Sequence, residues 1–501
     1  MMSQPMNQPS PPGDESPTVA TAPAGPPPPP TRRTTELWLL AFSAALLSIA
    51  NILVDANQEA ALTSQILYNG AAFLALFAAA HFAVRKWAPY ADPLILPFAA
   101  LLNGLGLVMI HRIDLAMASR LEINPEDAQA AFYGGPLVGR QIMWMVIGVA
   151  FFILTLWRIK DHRPLAKYGY TCGLVGLVAL ALPGIIPFSS IAPTVNGAKI
   201  WLRFPGGFSI QPGEFAKILL MIFFASFLVS KRELFTAAGR TFLRMNWPRA
   251  RDMAPLFVAW GASVGVLVFE RDLGTSLLFF GMVLVMLYIA TERAAWVVLG
   301  LTLFVGGCLV AYQLFGHVRQ RIANWMDPFA TYDEAGGGYQ IVQSLFSLGS
   351  GGIFGSGLGS GRPDIVPEPH TDFITVGMGE EMGFVGLSAV LILYLLLVMR
   401  GLRSALAVRD SFGKLLAGGL AFTLGLQVFI VVGGVTKLIP STGITAPFLS
   451  YGGSSLLANY ILIALLLRIS DAARRPAAPP KPKPKQAPIA EAHTEMVARP
   501  T

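Results

Sequence analysis

The chain has 501 residues, of which 54% are apolar and only 13% charged, with a formal net charge of +8. An ordinary soluble domain carries about 25% charged residues, so too little polar sequence remains here to coat a soluble enzyme. The positive charge needs no nucleic acid, because cytoplasmic loops of membrane proteins collect Lys and Arg. The composition describes an all-α polytopic membrane protein.

Residues 1–30 are rich in Pro, Ser and Gly and end in the run Pro26 to Pro30. That composition builds no core, so a disordered cytoplasmic tail is expected over 1–35, and it lacks the features of a signal peptide. Twelve apolar spans follow, near 37–54, 66–84, 93–110, 137–157, 168–184, 213–230, 254–270, 273–290, 294–314, 382–399, 415–435 and 453–468. Each is close to the length of about 20 residues that crosses a hydrocarbon core. Two of them occupy 36–92 and ten occupy 93–469, and a second Pro- and Lys-rich tail covers 470–501. With both termini inside, 26 of the 37 Lys and Arg residues fall on the inner side, so the termini are expected in the cytoplasm. Cys172 and Cys308 lie within spans and read as small buried hydrophobes.

Most connections are short, but residues 315–381 form a long outer loop. Loops of that length are usually functional or disordered. Trp325, Phe329, Tyr339, Phe346 and Phe354 are scattered through this one, which predicts short helices on the membrane surface. The run from Gly349 to Gly361 suits either close backbone approach to an anion or a flexible turn. It lacks the βαβ setting that a dinucleotide site requires. In Pro367-Glu368-Pro369-His370-Thr371-Asp372-Phe373-Ile374, Asp372 suits a general base or a helix cap, and His370 reads more simply as structural. Glu380 and Glu381 read as first-turn residues of the next span.

Two charged sets lie at membrane depth. Glu214 and Lys217 share one helical face and can pair. Glu270, Arg271 and Asp272 interrupt two spans, as functional groups or as an ion pair at a helix end. The string Pro440-Ser-Thr-Gly-Ile-Thr-Ala-Pro447-Phe-Leu-Ser450-Tyr-Gly-Gly-Ser-Ser455 suits a shaped cavity wall or an ordinary loop.

That string resembles the SEDS family (shape, elongation, division and sporulation). So do the Gly-rich run, Pro-Glu-Pro-His-Thr-Asp-Phe-Ile and Tyr339-Gln340…Gln343-Ser344. Further matches are Asn196-Gly-Ala-Lys-Ile-Trp-Leu, Gln211-Pro-Gly-Glu-Phe-Ala-Lys217 and Asp272-Leu-Gly-Thr275. The resemblance covers about 93–469, and Leu465-Leu-Leu-Arg-Ile-Ser470 looks closer to the rod-elongation branch than to the division branch. Gly213 stands where the family usually has Ser, and Lys437 where a small or apolar residue is usual.

The resemblance implies a ten-helix core carrying two extra N-terminal helices, and a peptidoglycan glycosyltransferase that polymerises lipid II. It would work at the outer face of the bacterial cytoplasmic membrane, with a class B penicillin-binding transpeptidase and other elongation or division proteins. Asp372 matches the family's essential carboxylate. The expected chemistry is inverting transfer from a lipid-diphosphate donor. Lys199, Arg203, Arg319, Arg321 or a divalent cation (Mg or Mn) would hold the diphosphate. Glu368, His370, Thr371, Gln343, Ser344, Ser450 and Ser454 are expected to face substrate. Glu214, Lys217, Asp272, Pro440, Gly443, Pro447, Gly452 and Gly453 are expected to shape the cavity. One base suffices in such a scheme, since a diphosphate leaves as a stable anion whereas a glycosidase must protonate an alkoxide. A precursor flippase or a scaffold for wall enzymes are the rival readings, but the distinctive residues gather in outer loops, where a polymerase needs them.

Overall fold

A computed structural model describes residues 31–58, 65–123, 137–195, 198–205, 208–232, 271–334 and 336–476, with isolated positions between 241 and 268. Among these, 11 helices are long and apolar enough to cross a membrane. Most of the expected span at 254–270, and the expected tails over 1–30 and 477–501, lie outside the described residues. The parts of those tails that are described are largely helical, since the first helix starts at Arg33 and the last spanning helix runs to Arg474. The spanning helices are α1 (Arg33–Asn57), α2 (Gln65–Trp87), α3 (Ile95–Ile123), α4 (Leu137–Arg158), α5 (Gly169–Ile185), α6 (Pro212–Ser230), α7 (Leu273–Thr291) and α8 (Ala294–Leu314). The long loop contributes two short helices, α9 (Gly316–Met326) and α10 (Tyr339–Gly351), as its aromatic content predicts. Three more spans complete the bundle: α11 (Ile374–Ala407), α12 (Ser411–Val435) and α13 (Gly453–Arg474).

The degree of burial sorts the spans. In α13, 83% of the apolar window is buried by protein, and in α3 78%, against 11% in α8. The first two are therefore central, while α8 presents its side chains outward, where lipid would cover them. Cys308 is on α8 and exposed, so the expectation that both cysteines are buried fails there; Cys172 is half-buried. Small residues let neighbours close up. Gly173 and Gly176, three apart on α5, face Phe223 and Leu220 of α6, and a Cβ on either would lie within 3.0 Å of those side chains.

The two N-terminal helices are tied to each other by charge. Arg33 pairs with Glu36 at 2.5 Å, and Glu36 lies 2.7 Å from His81 of α2, all three almost fully buried. At the same end Asp92 pairs with Arg474 of α13. Buried charges of this kind need such partners to be tolerated.

The helix α11 begins eight residues before the span expected at 382, so Glu380 and Glu381 sit well inside it rather than in its first turn. It kinks at Gly383 (φ 68°, ψ −172°). A kink frees backbone groups that must find partners elsewhere. The Gly-rich run supplies them: Ser356 N donates to Glu380 O at 2.9 Å and Gly357 N to Glu381 O at 3.0 Å, while Phe384 N donates to Gly352 O at 3.0 Å. The run is thus neither a flexible turn nor an open cradle. Its anion is the protein's own, because Gly359 N donates to the Glu381 carboxylate at 3.0 Å. Between α5 and α6 a short hairpin pairs β1 (Leu202–Arg203) with β2 (Ser209–Ile210).

Candidate active site

Asp372 lies in the last turn before α11, one residue ahead of Phe373, which is the N-cap and makes no side-chain cap bond. The helix-cap reading of Asp372 therefore does not hold. The Thr371 hydroxyl lies 2.9 Å from Asp372 Oδ1 and 2.9 Å from the Glu368 carbonyl, so it can donate to either. Burial pushes the Asp372 carboxyl up to about 6, against the pull of the Thr371 hydroxyl and the Arg321 guanidinium. A carboxylate tuned in this way is suited to take up a proton near neutral pH.

The string 440–455 holds this turn from the opposite side. Ser450 donates its hydroxyl to the Thr371 carbonyl and accepts from Ala446 N at 2.8 Å. Tyr451 N donates to the His370 carbonyl at 2.8 Å, and the Tyr451 ring meets the His370 ring edge-on at 5.4 Å. Arg140 of α4 lies over the same tyrosine ring, 5.8 Å from its centre. His370 Nδ1 is buried without a hydrogen-bond partner, and Nε2 lies 3.5 Å from Glu368, which has a left-handed backbone (φ 50°). Burial pushes the His370 imidazole below its ordinary range, with Arg140 acting the same way and Glu368 and Asp114 against it.

Irregular backbone at this depth must be covered by protein, and the structure shows how. Asn103 Nδ2 donates to the Phe448 carbonyl at 3.0 Å and Tyr394 OH to the Pro447 carbonyl. Gln427 Nε2 donates to Thr445 O at 2.8 Å, and Gln141 Nε2 to Ser450 O at 3.2 Å. Gly443 has φ 75°, which a residue with a Cβ adopts reluctantly, and Gly453 lies so close to Trp144 that a Cβ would come within 2.2 Å. Pro440 and Gly452 flank the same irregular segment, and Gly452 N reaches Gln141 Oε1 at 3.4 Å.

Arg321 of α9 connects the site to the charges at membrane depth. Its guanidinium donates to Ser441 O at 3.2 Å and lies in the fields of both Asp272 and Asp372. Asp272 is the N-cap of α7, its carboxylate accepting from Thr275 N at 2.9 Å. Lys217 and Glu214 pair at 2.6 Å, as their spacing predicts, and Lys217 also reaches Gln427 at 3.3 Å and Asn459 at 3.4 Å.

Several residues expected to face substrate also bond to protein. Ser344 is fully buried, its hydroxyl placed to donate to Ile341 O at 2.8 Å or Val435 O at 3.1 Å, and Ser454 is a buried acceptor for Gln211 N at 2.9 Å. Gln343 donates to the Tyr332 hydroxyl at 3.0 Å. Lys199 reaches back to Ile186 O, while Arg203 on β1 and Arg319 on α9 are exposed. Arg321 is the single cation of the expected four whose charge is felt at Asp372. Sequence reasoning missed Arg140, Gln141, Asn103 and Arg112, whose polarity inside apolar helices was the signal available.

Fold and site together define a polytopic helical membrane protein with a half-buried carboxylate and a half-buried guanidinium gathered under one long loop. The family described as Cell cycle protein, which groups FtsW, RodA and SpoVE, matches residues 92–475, and the chain belongs to it. The peptidoglycan glycosyltransferase RodA of Mycobacterium tuberculosis strain H37Rv is 57% identical over 468 residues, covering 93% of this chain and 96% of that protein. Stage V sporulation protein E of Bacillus subtilis is 35% identical over 400 residues, covering 78% and 99%. Among solved structures, one from work on the structural coordination of polymerization and crosslinking by a peptidoglycan synthase complex is 27% identical, with a TM-score of 0.56 and coverage of 76% and 97%. The rod shape determining protein RodA of Thermus thermophilus is 25% identical, with a TM-score of 0.51 and coverage of 76% and 96%.

Proposed function

We propose that this chain polymerises lipid II into glycan strands at the outer face of the cytoplasmic membrane, with Asp372 as the base. The coarser conclusion, a peptidoglycan glycosyltransferase serving cell shape, rests on the 57% identity to RodA proteins across nearly the whole chain. Relatives named FtsW are 34% identical, so a part in division is also compatible with the family. The catalytic reading is carried by the placement of Asp372 in the turn that Ser450 holds at the Thr371 carbonyl. There Arg321 is close enough for its charge to act on the carboxyl, which burial raises.

In this reading Asp372 takes the proton of the acceptor's 4-hydroxyl. The acceptor oxygen forms its bond to the donor's anomeric carbon, with inversion, as the bond to the lipid diphosphate breaks. The diphosphate leaves as an anion and needs neutralisation rather than protonation. Arg321, whose guanidinium fits phosphate geometry, is the residue placed to supply it. Among the described residues no three His, Cys, Asp or Glu side chains form a metal cage. Magnesium or manganese nevertheless fits when carried in on a diphosphate, because magnesium commonly binds through one or two carboxylates and substrate phosphates. Asp272, which shares Arg321 with Asp372, would hold it, and the ion would neutralise charge on the departing group.

The partner in this proposal is a class B penicillin-binding transpeptidase, in keeping with the peptidoglycan synthase complex among the similar structures. Both termini are assigned to the cytoplasm from the Lys and Arg distribution. Purified protein supplied with lipid II, with and without a candidate transpeptidase, tests the proposal. Glycan polymer supports it; lipid movement without polymer would favour a flippase, and recruitment without either would leave a scaffold.

A further inference from the structure

The two N-terminal helices lie outside the matched family region, yet the end of α1 reaches the Gly-rich run. Asn57 Nδ2 donates to the Leu358 carbonyl and Gln58 Nε2 to the Gly359 carbonyl. On its other side Gln58 Oε1 accepts from Arg112 Nη1 at 3.3 Å. Arg112 is 2% exposed, pairs with Glu381 at 2.8 Å and donates a further bond to Gly361 O. Asp55, one turn earlier on α1, lies 2.8 Å from His111, the neighbour of Arg112. Contact at Gly359 is close as well: its φ is 87°, and a Cβ there would come within 2.9 Å of Asn57 Cβ and Val54 O.

We propose that the C-terminal end of α1 is a positioning element for transfer, in which Asn57 and Gln58 clamp the 358–361 turn onto the Arg112–Glu381 pair. The loop that leads to Asp372 is then held at two levels. Below, its amides close over the α11 kink. Above, α1 fixes its carbonyls and supplies one acceptor to a buried guanidinium, whose Nη1 would otherwise lose that partner. The loop continues through Arg362, whose amide donates to Glu380 at 2.7 Å, to the turn bearing Glu368 and Asp372. A shift of about 1 Å in a positioning element can cost about 100-fold in rate. Asn57 and Gln58 touch no reacting atom and are positioning residues, so they act on the chemical step rather than on substrate affinity.

This inference rests on the glycosyltransferase reading, and the test separates the two. The full-length Asn57→Ala/Gln58→Ala protein is compared with wild type for lipid II polymerisation and for hydrogen exchange across 355–362. We expect kcat to fall about tenfold with KM within twofold, and exchange at 355–362 to quicken while α12 and α13 stay protected. Unchanged exchange in the loop overturns the clamp. Faster exchange with wild-type kcat, or a loss confined to KM, overturns its role in transfer. Wild-type protein that makes no polymer overturns the glycosyltransferase reading, and this inference with it. Should the double variant not fold, Gln58→Glu keeps the acceptor for Arg112 but loses the donor to Gly359. It is expected to shift kcat and loop exchange the same way, and wild-type behaviour in both overturns the proposal.

Discussion

The Ser450 hydroxyl donates to the carbonyl of Thr371, the residue immediately before Asp372. Two segments about 80 positions apart in the chain are joined at the point where the carboxylate must be aimed. A second tie between the 440–455 string and the Asp372 turn runs through Tyr451 and His370. Ser450→Ala should therefore leave the protein folded but reduce polymerisation about tenfold. A lipid II assay alongside a melting curve checks both halves.

Removing the base should have a much larger effect. General bases contribute roughly 100- to 10,000-fold, so Asp372→Ala and Asp372→Asn should each lose polymerisation by at least about 100-fold. Neither should lower the melting temperature, because a carboxyl raised by burial gains nothing in the fold from being ionised. Wild-type rates in either variant would refute the catalytic assignment.

The pH dependence follows in sign. The ionised form of Asp372 is the base, and its carboxyl is pushed up to about 6. The kcat profile should be flat above that value and fall with acid below it. Arg321 opposes the rise, so Arg321→Gln should move the acid limb to higher pH as well as weaken turnover. For stability the sign is reversed: the fold binds this proton more tightly than the unfolded chain. The contribution is therefore fully present at pH below the ordinary carboxylate range and is lost as pH rises through about 6.

Lys217 is 3% exposed and Glu214 13%, 2.6 Å apart. Breaking a buried pair from one side typically costs about 3–5 kcal/mol, whereas replacing both partners is far milder. Lys217→Met should destabilise the protein strongly, and Glu214→Gln/Lys217→Met should recover most of that loss. Denaturation of the three proteins side by side measures the coupling.

Gly106 of α3 faces the backbone of Leu449, and a Cβ would come within 2.4 Å of its carbonyl. The neighbour is backbone and cannot swing aside, so Gly106→Ala should push the 440–455 string away from α3. A cost of about 1–3 kcal/mol and a disproportionate loss of polymerisation are expected, read from melting and from the lipid II assay.

Much of the architecture is legible in the sequence because hydrophobic length is a local property: the described spans and the Glu214–Lys217 pair follow from length and spacing, and the short helices of the long loop from its aromatic content. The local signal failed where a helix began in polar, Gly-rich sequence. For that reason α11 starts at Ile374 rather than near 382, and Glu380 and Glu381 moved from a first turn to a kink clasped by the loop. The site divides in the same way. Asp372 was marked by its motif, and Arg321 was one cation among four. Only the tertiary structure decided which cation shares a field with Asp372 and which serines bond to backbone. It also decided that the first of two helices with no readable purpose reaches Gly359 and Arg112 at its C-terminal end. Composition and periodicity report what each segment buries, whereas a hydrogen bond across 300 residues depends on packing that no single segment encodes.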